Sequence, residues 1–408
     1  MVSYPYEQLF LDDSVDKQIS ITSDDHTLNV TNDTLIQGEF ELVESLCSEE
    51  TLHFGACETT QLTFTCLTNA PSLVDKWITV EITPSGGTPF RIERFRVHSD
   101  KYTQQHKYRK IVAYDKLFYY CPKSYKVWYH NMWQSAEDTI TFKQFRDGFF
   151  ERVNIDQETV TLPIDSIPIK RQKLSKITGK DIMSCMCECL GAFGHMGRDH
   201  LFHYWFLPID TDTPQSMSNT YVISVDHEDY TVQNIDRLEI LDNEGNLRLG
   251  FGESAEDAIN PYTIQNNFLM DGMDDEHLAV VGQILFAYIS KISYVPLIGA
   301  DCKGNPCKEV GDMVTFTDSY STIRTYILER RMKGSQAIRD EYCAEGQEFY
   351  PDEGGGNSIN AKINNLQQLI NAIVNSGGGG GGGGGTSGNF NALLVNNFQL
   401  VDYSQVNS

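Results

Sequence analysis

The first 120 residues alternate apolar and polar positions with a period of two. Ile19 and Ile21 in KQISITS, Leu62, Phe64 and Cys66 in QLTFTCL, and Ile78, Val80 and Ile82 in KWITVEI each mark one face of a strand. TPSGGTP then separates KWITVEI from FRIERFRV, which predicts a hairpin turning at Gly86 and Gly87. Short strands at this spacing predict an all-β barrel or sandwich over residues 1–120.

The period then lengthens. In TFKQFRDGFFERV, Thr141 and Gln144 stand at capping-box spacing, and Phe142, Phe145 and Phe149 share one helical face. TGKD opens a second helix with Thr178 as its cap, ending near Gly191. The Pro-containing TLPIDSIPIKRQKL between them reads as extended, and HLFHYWFL as a strand. Residues 121–210 are thus expected to form a small α+β insertion. Strand patterns resume after Tyr221, where LEILDNEGNLRLGF predicts a hairpin with Leu238 and Ile240 facing Leu247 and Leu249. EHLAVVGQILFAYISKI predicts a mostly buried helix, and DMVTFTDSYSTIRTYILERRM another hairpin, so residues 211–350 are expected to form a second β-barrel domain.

A different pattern closes the chain. Ile359, Ile363, Leu366, Ile370 and Ile373 recur at heptad a and d positions, and isoleucine at both favours three or more parallel strands. Residues 357–375 therefore read as a trimerising coiled coil, or, because the seam is short, as an amphipathic helix docked on the body. Gly377 to Gly385 follow without interruption. Glycine is costly to order, so 376–388 is either a flexible linker or a stalk held together by three chains, carrying a tip segment at 389–408. The expected fold class is mainly β with an α+β insertion: two β-barrel-like domains, a short C-terminal trimeric coiled coil and a polyglycine segment.

Charge narrows the function. With 56 acidic against 32 basic residues the chain carries −24, too negative to coat nucleic acid, and sequence-specific DNA binding is not expected. Between Asp226 and Glu276 fourteen acids face only Arg237 and Arg248. That run is a solvated face, or a wall that DNA passes without sticking. MVSYPYEQLFLDD lacks a basic and then apolar start, so no signal peptide is expected, and no apolar stretch is long enough for a membrane anchor. Synthesis in a cytoplasm makes the ten cysteines buried thiols rather than a disulfide framework.

The densest chemistry lies in CMCECLGAFGHMGRDHLFH, with Cys185, Cys187, Cys189, His195, His200 and His203. Alternate residues of a helix point apart, so three cysteines at this spacing fit a zinc tetrahedron poorly. Cys185 and Cys189 are expected to be buried beside Ile182, without metal. His195 and Asp199 resemble half of a zinc peptidase signature, but its H-x-H partner is missing, and only His200-x-x-His203 stands nearby. No catalytic residue, metal ligand or cofactor site is expected. Cys302 and Cys307 flank a Gly-Asn-Pro turn and are expected as thiols, with pairing open only outside the cell. DNEGN departs from calcium-loop spacing and reads as a turn. Tyr125, Trp128, Tyr129 and Trp133 could stack a sugar, but their near-helical spacing favours core or interface.

ESLCSEETLHFGACETTQLTFTC, FRIERFRVHSDK, KIVAYDKLF, FRDGFFERVNI, ITGKDIMSCMCECLGAFGHMGRDHLFHYWFL and CKEVGDMVTF…TYILERRMKGSQAIRDEYCAEG together carry a resemblance. Over about residues 1–350 the chain resembles baseplate hub, or tail-tip, proteins of phages and prophages of Gram-positive gut bacteria. The resemblance implies a homotrimer in which each chain gives two β-barrels to a six-fold ring. It also implies contacts with a distal tail protein hexamer, a tape-measure protein and tail-fibre or receptor-binding proteins, at the virion tail tip. Many such proteins continue into a peptidoglycan-cleaving domain where this sequence has its coil and glycine run, so a structural and non-enzymatic role is expected. The alternatives are a tail-associated peptidoglycan hydrolase using the 185–203 cluster, and a host-glycan-binding tip protein using the aromatics.

Overall fold

The alternating N-terminal pattern becomes strands in the computed structural model, which describes residues 6–48, 51–103, 107–135, 138–317 and 322–347. Ile359, Ile363, Leu366, Ile370, Ile373 and the glycine run lie outside the described residues. A short helix α1 (Glu7–Leu11) precedes strands β1 (Lys17–Ser23), β2 (Asn29–Val30), β3 (Glu41–Ser45) and β4 (Gln61–Cys66). Then come β5 (Trp77–Pro84), β6 (Phe90–Tyr102) and β7 (Arg109–Tyr114). β5 and β6 form the expected hairpin, with Gly86 supplying the left-handed residue of its turn at φ +83°.

Helices α2 (Lys116–Tyr120) and α3 (Lys126–Asn131) lead to β8 (Thr139–Thr141), α4 (Phe142–Val153) and β9 (Pro168–Lys170). Next are α5 (Gly179–Glu188), β10 (Phe193–Met196) and β11 (Phe202–Trp205). Helices α4 and α5 both start as read: the hydroxyls of Thr141 and Thr178 accept from the backbone amides of Gln144 and Asp181, whose side chains accept in return from the cap amides. Gly191, at φ +70°, turns the chain after α5.

The rest of the described chain holds β12 (Gln215–Met217), β13 (Val222–His227), β14 (Arg237–Leu241), β15 (Leu247–Gly252) and β16 (Pro261–Ile264). After them come α6 (Phe268–Asp271), α7 (Asp275–Ile289), β17 (Leu297–Lys303) and β18 (Met313–Thr317). The last strands are β19 (Thr322–Tyr326), β20 (Glu329–Lys333) and β21 (Arg339–Ala344). The β14–β15 hairpin forms across DNEGN, but its register differs from the expectation. Ile240 faces Leu249 as predicted, whereas Leu238 faces Phe251 and Leu247 faces Leu241, because a bulge between Ile240 and Leu241 inserts a residue.

The two β-rich stretches meet in one sheet of eleven strands, ordered β13-β17-β21-β20-β3-β4-β7-β6-β5-β1-β2. The joint is β20, which pairs antiparallel with β21 on one side and β3 on the other. Local periodicity cannot show this, since it carries no information on which strands pair across the intervening helices. The N-terminal strands bury one core around Ile19, Phe64, Val80 and Phe95. A larger core joins the phenylalanines of α4 to α5, α7 and the later strands. Among the described residues no helix is long and apolar enough to cross a membrane.

Candidate functional site

Helix α5 carries the cysteines, and it is packed on more than one side. Ile182, Met183, Met186, Cys187 and Cys189 are fully buried, while Cys185 is half-buried. This corrects the expected stripe, in which Cys185 and Cys189 were the buried pair. The residues around Gly55 lie so close to α5 that a Cβ there would meet Glu188 Cβ and Ser184 O at 2.8 Å. The buried Cys57 thiol donates to the Gly55 carbonyl at 3.5 Å. Its interaction with Cys187, and then burial, push its pKa well above the ordinary value; burial does the same for Cys185 and Cys189. Metal binding needs thiolates, and this surrounding favours neutral thiols.

The three histidines divide between two states. His195 of β10 faces His203 of β11 across the ladder, and its burial pushes the pKa down to about 4. His200, in the left-handed turn between them, is also lowered to about 4 by burial and by Arg91, Arg94 and Lys116. His203 goes the other way. Burial opposes its charge, but its Nδ1 lies 3.3 Å from Glu158 Oε2 and its Nε2 2.9 Å from Asp199 Oδ1, raising the pKa to about 9. An imidazolium donating from both nitrogens has no lone pair for a metal. The His195, Asp199 and His203 trio is thus a folded hairpin with an ion pair. Among the described residues no group of three His, Cys, Asp or Glu side chains is arranged to hold a metal.

The aromatics of SYKVWYHNMW belong to the core. Tyr125, Tyr129 and Trp133 are buried and Trp128 is half-buried. Trp128 and Tyr125 each meet the Phe149 ring at 5.4 Å between centroids, and Tyr129 meets Trp133 at 5.1 Å and Phe268 at 5.4 Å. Trp133 Nε1 donates to the Ile169 carbonyl at 3.1 Å, and Tyr129 Oη accepts from the Gln172 amide at 2.9 Å. The polar ends of Trp133 and Tyr129 are thus occupied, and the four rings pack against α4 and α6 instead of lining a sugar platform. Cys302 and Cys307 are both buried free thiols, in different cores.

The acidic segment is partly explained by local structure. Asp274 caps α7 by accepting from the His277 amide at 2.9 Å, and Asp275 and Glu276 follow at the positive helix end. Arg237 and Arg248 are spent on Glu239 and Asp275, each at 2.7 Å. Glu244, Glu253, Glu256 and Asp257 remain exposed.

Sequence reasoning missed the arrangement that joins the sheet. Arg330, with a fully buried side chain, points inward from β20 directly opposite Glu44 of β3. Its Nη1 donates to Glu44 Oε2 at 3.0 Å and to the Lys308 carbonyl at 2.6 Å. Nε and Nη2 donate to the two oxygens of Asp340 at 3.1 and 3.2 Å, and Nη2 also to the Asn305 carbonyl at 3.1 Å. Burial disfavours the charged guanidinium, yet Asp340 and Glu44 hold its pKa above the ordinary value. The Asp340 carboxylate is further bonded by Tyr342 Oη and the Asn305 amide. Arg198, from the β10–β11 turn, reaches the same loop through the Lys308 carbonyl at 2.6 Å and Glu309 at 3.0 Å. One junction thus fixes β3, β20, β21, the 305–309 loop and the histidine hairpin together. A signal existed in the sequence: Leu42-x-Glu44-x-Leu46, Leu328-x-Arg330-x-Met332 and Ile338-x-Asp340-x-Tyr342 each place one charge on a core face.

This architecture has precedent. A tail protein from Neisseria meningitidis MC58 superposes with a TM-score of 0.51 at 9% identity, over 83% of this chain and 99% of that one. The 43 kDa tail protein of prophage MuSo2 from Shewanella oneidensis gives 0.50 at 12% identity, over 80% and 98%. The fold is shared with tail proteins. No protein-family model and no curated protein matches the sequence. At such identity the likeness concerns the path of the chain, so the roles of Arg330 and His203 rest on their own contacts.

Proposed function

We propose that this chain is a structural hub at the tip of a phage tail or a related injection machine. It assembles as a homotrimer that closes the tail tube and passes or retains DNA and the tape-measure protein. The observation supporting this is the shared fold, which takes in nearly the whole length of two tail proteins and about four-fifths of this chain. The sequence resemblance to hub proteins and the negative net charge point the same way, since an acidic wall lets DNA slide without binding. The role needs no catalytic residue. Of the histidines in the 185–203 cluster, His203 is held by Glu158 and Asp199. Ile359, Ile363, Leu366, Ile370 and Ile373 set the trimer in this reading, and the partners are a distal tail protein hexamer, the tape measure and receptor-binding or fibre proteins.

Mass by light scattering, with electron microscopy of the purified chain, tests the reading. The expected particle is a three-chain ring with an acidic lumen. A monomer at every concentration, or a basic channel with all the acids of 226–276 on the outer wall, would overturn it. Ile363→Asp with Ile370→Asp is expected to weaken the trimer.

A further inference from the structure

The far end of the β6–β7 hairpin carries positive charge that no ion pair balances among the described residues. β5 pairs with β6 only as far as Arg96, so the last residues of β6 have β7 as their ladder partner. There Lys101 lies directly opposite Lys110. Like charges directly opposed across two strands destabilise a sheet. Lys101, Lys107 and Lys110 are all exposed, beside Tyr102 at 53% exposure. None of the three lysines enters an ion pair among the described residues, whereas Arg109 in the same hairpin is buried against Asp100.

The complementary surface is on the same chain. The loop after β15 exposes Glu253, Glu256, Asp257 and, at 46%, Ile259. It is held in shape by Asp236, whose carboxylate accepts from the Ile259 amide at 2.7 Å and the Asn260 amide at 3.1 Å. The arginines nearby are already engaged by Glu239 and Asp275. No ion pair joins this loop to the lysines within one chain among the described residues.

We propose that the Lys101–Lys107–Lys110 corner of one copy docks on the Glu253–Ile259 loop of the next copy. This rests on the trimeric reading above and names a contact for it. Two different surfaces of one chain make a head-to-tail contact, the kind that closes into a ring when the rotation allows. Charge complementarity selects the partner and register, while Tyr102 and Ile259 supply apolar contact.

The test uses the full chain and three variants: Lys101→Glu/Lys107→Glu/Lys110→Glu, Glu253→Lys/Glu256→Lys/Asp257→Lys, and the six-fold swap of both. All six side chains are exposed, and circular dichroism checks each fold. Sedimentation velocity is expected to show self-association weakened more than about tenfold in each triple variant and regained in the six-fold swap. Raising salt to about 0.5 M should weaken the wild type as well. If the lysine variant assembles like the wild type, or the swap restores nothing, this contact is wrong while the trimer stands. A lysine corner that instead binds duplex DNA, with assembly unaffected by its reversal, also overturns it. A wild-type chain that is monomeric throughout overturns the hub reading and the contact together.

Discussion

Arg330 stands between Glu44 and Asp340, and His203 stands between Glu158 and Asp199. Each is a cation bracketed by two carboxylates, yet the first has no exposed side-chain surface and the second keeps 23%. The guanidinium cannot lose its proton in the accessible pH range, and protein groups surround it. Its charge is therefore permanent, and its removal strands two buried acids. The imidazolium exists only because its neighbours raise its pKa to about 9, so its contribution titrates. Burial and saturation separate a fixed joint from an adjustable one.

The largest effect should come from breaking the fixed joint. Arg330→Leu is expected to cost about 3–5 kcal/mol, because Glu44 and Asp340 would remain buried without a countercharge. Chemical denaturation measures this, and a loss below about 1 kcal/mol would mean the junction is hydrated or dispensable. Removing all three charges sharpens the point. Arg330→Met with Glu44→Gln and Asp340→Asn should recover more than about half of that loss, since no buried charge is then left without a countercharge. If the triple variant is as unstable as the single one, the junction acts through shape rather than charge.

The adjustable joint gives a smaller, pH-dependent signal. The folded pKa of His203 lies above its ordinary 6.5, so its stabilisation is complete below about pH 6.5 and disappears as pH rises through about 9. Allowing for solvent screening, about 1–2 kcal/mol should be lost across that window. His203→Gln should flatten the slope above about pH 8, where the carboxyls of Asp115 and Glu188, raised to about 7 by burial, have finished titrating. Thermal midpoints at several pH values, with an NMR titration of the ring, check this; a ring titrating near its ordinary pKa would remove the ion pair from the account. The smallest effect is expected on the other face of the same sheet. Lys333 reaches Glu341 at 2.7 Å but both are well exposed, so Lys333→Ala should change stability by less than about 0.5 kcal/mol.

What could be read from the sequence follows this distinction between local and distant causes. The caps at Thr141 and Thr178, the turn at Gly86 and the DNEGN hairpin depend on residues a few positions apart, and each forms where expected. The buried aromatics followed from helical spacing. The choice between Cys185 and Cys187 did not, because it depends on the segment at Gly55 pressing on α5 from more than a hundred residues away. The bulge at Ile240 changes a register without changing the hydrophobic pattern, and so leaves no trace in it. His195 and Asp199 resemble half of a metal motif, with only His200-x-x-His203 in place of its H-x-H partner, yet Asp199 pairs with His203. The second partner of His203, Glu158, comes from the loop after α4, which no motif includes.

The β20–β3 pairing also sets a timetable for synthesis. Glu44 and Arg330 are separated by 286 residues, so a ribosome adding 5–20 residues per second needs roughly 15–60 s between them. During that interval β3 can pair with β4 but offers its other edge to solvent, or to any neighbouring nascent chain. Glu44 faces the core side of that edge and should keep it hydrated until its arginine arrives. The residue that locks the finished sheet thereby guards the unfinished one. A polysome making several copies at once would then release chains whose sheets close on themselves before they meet each other.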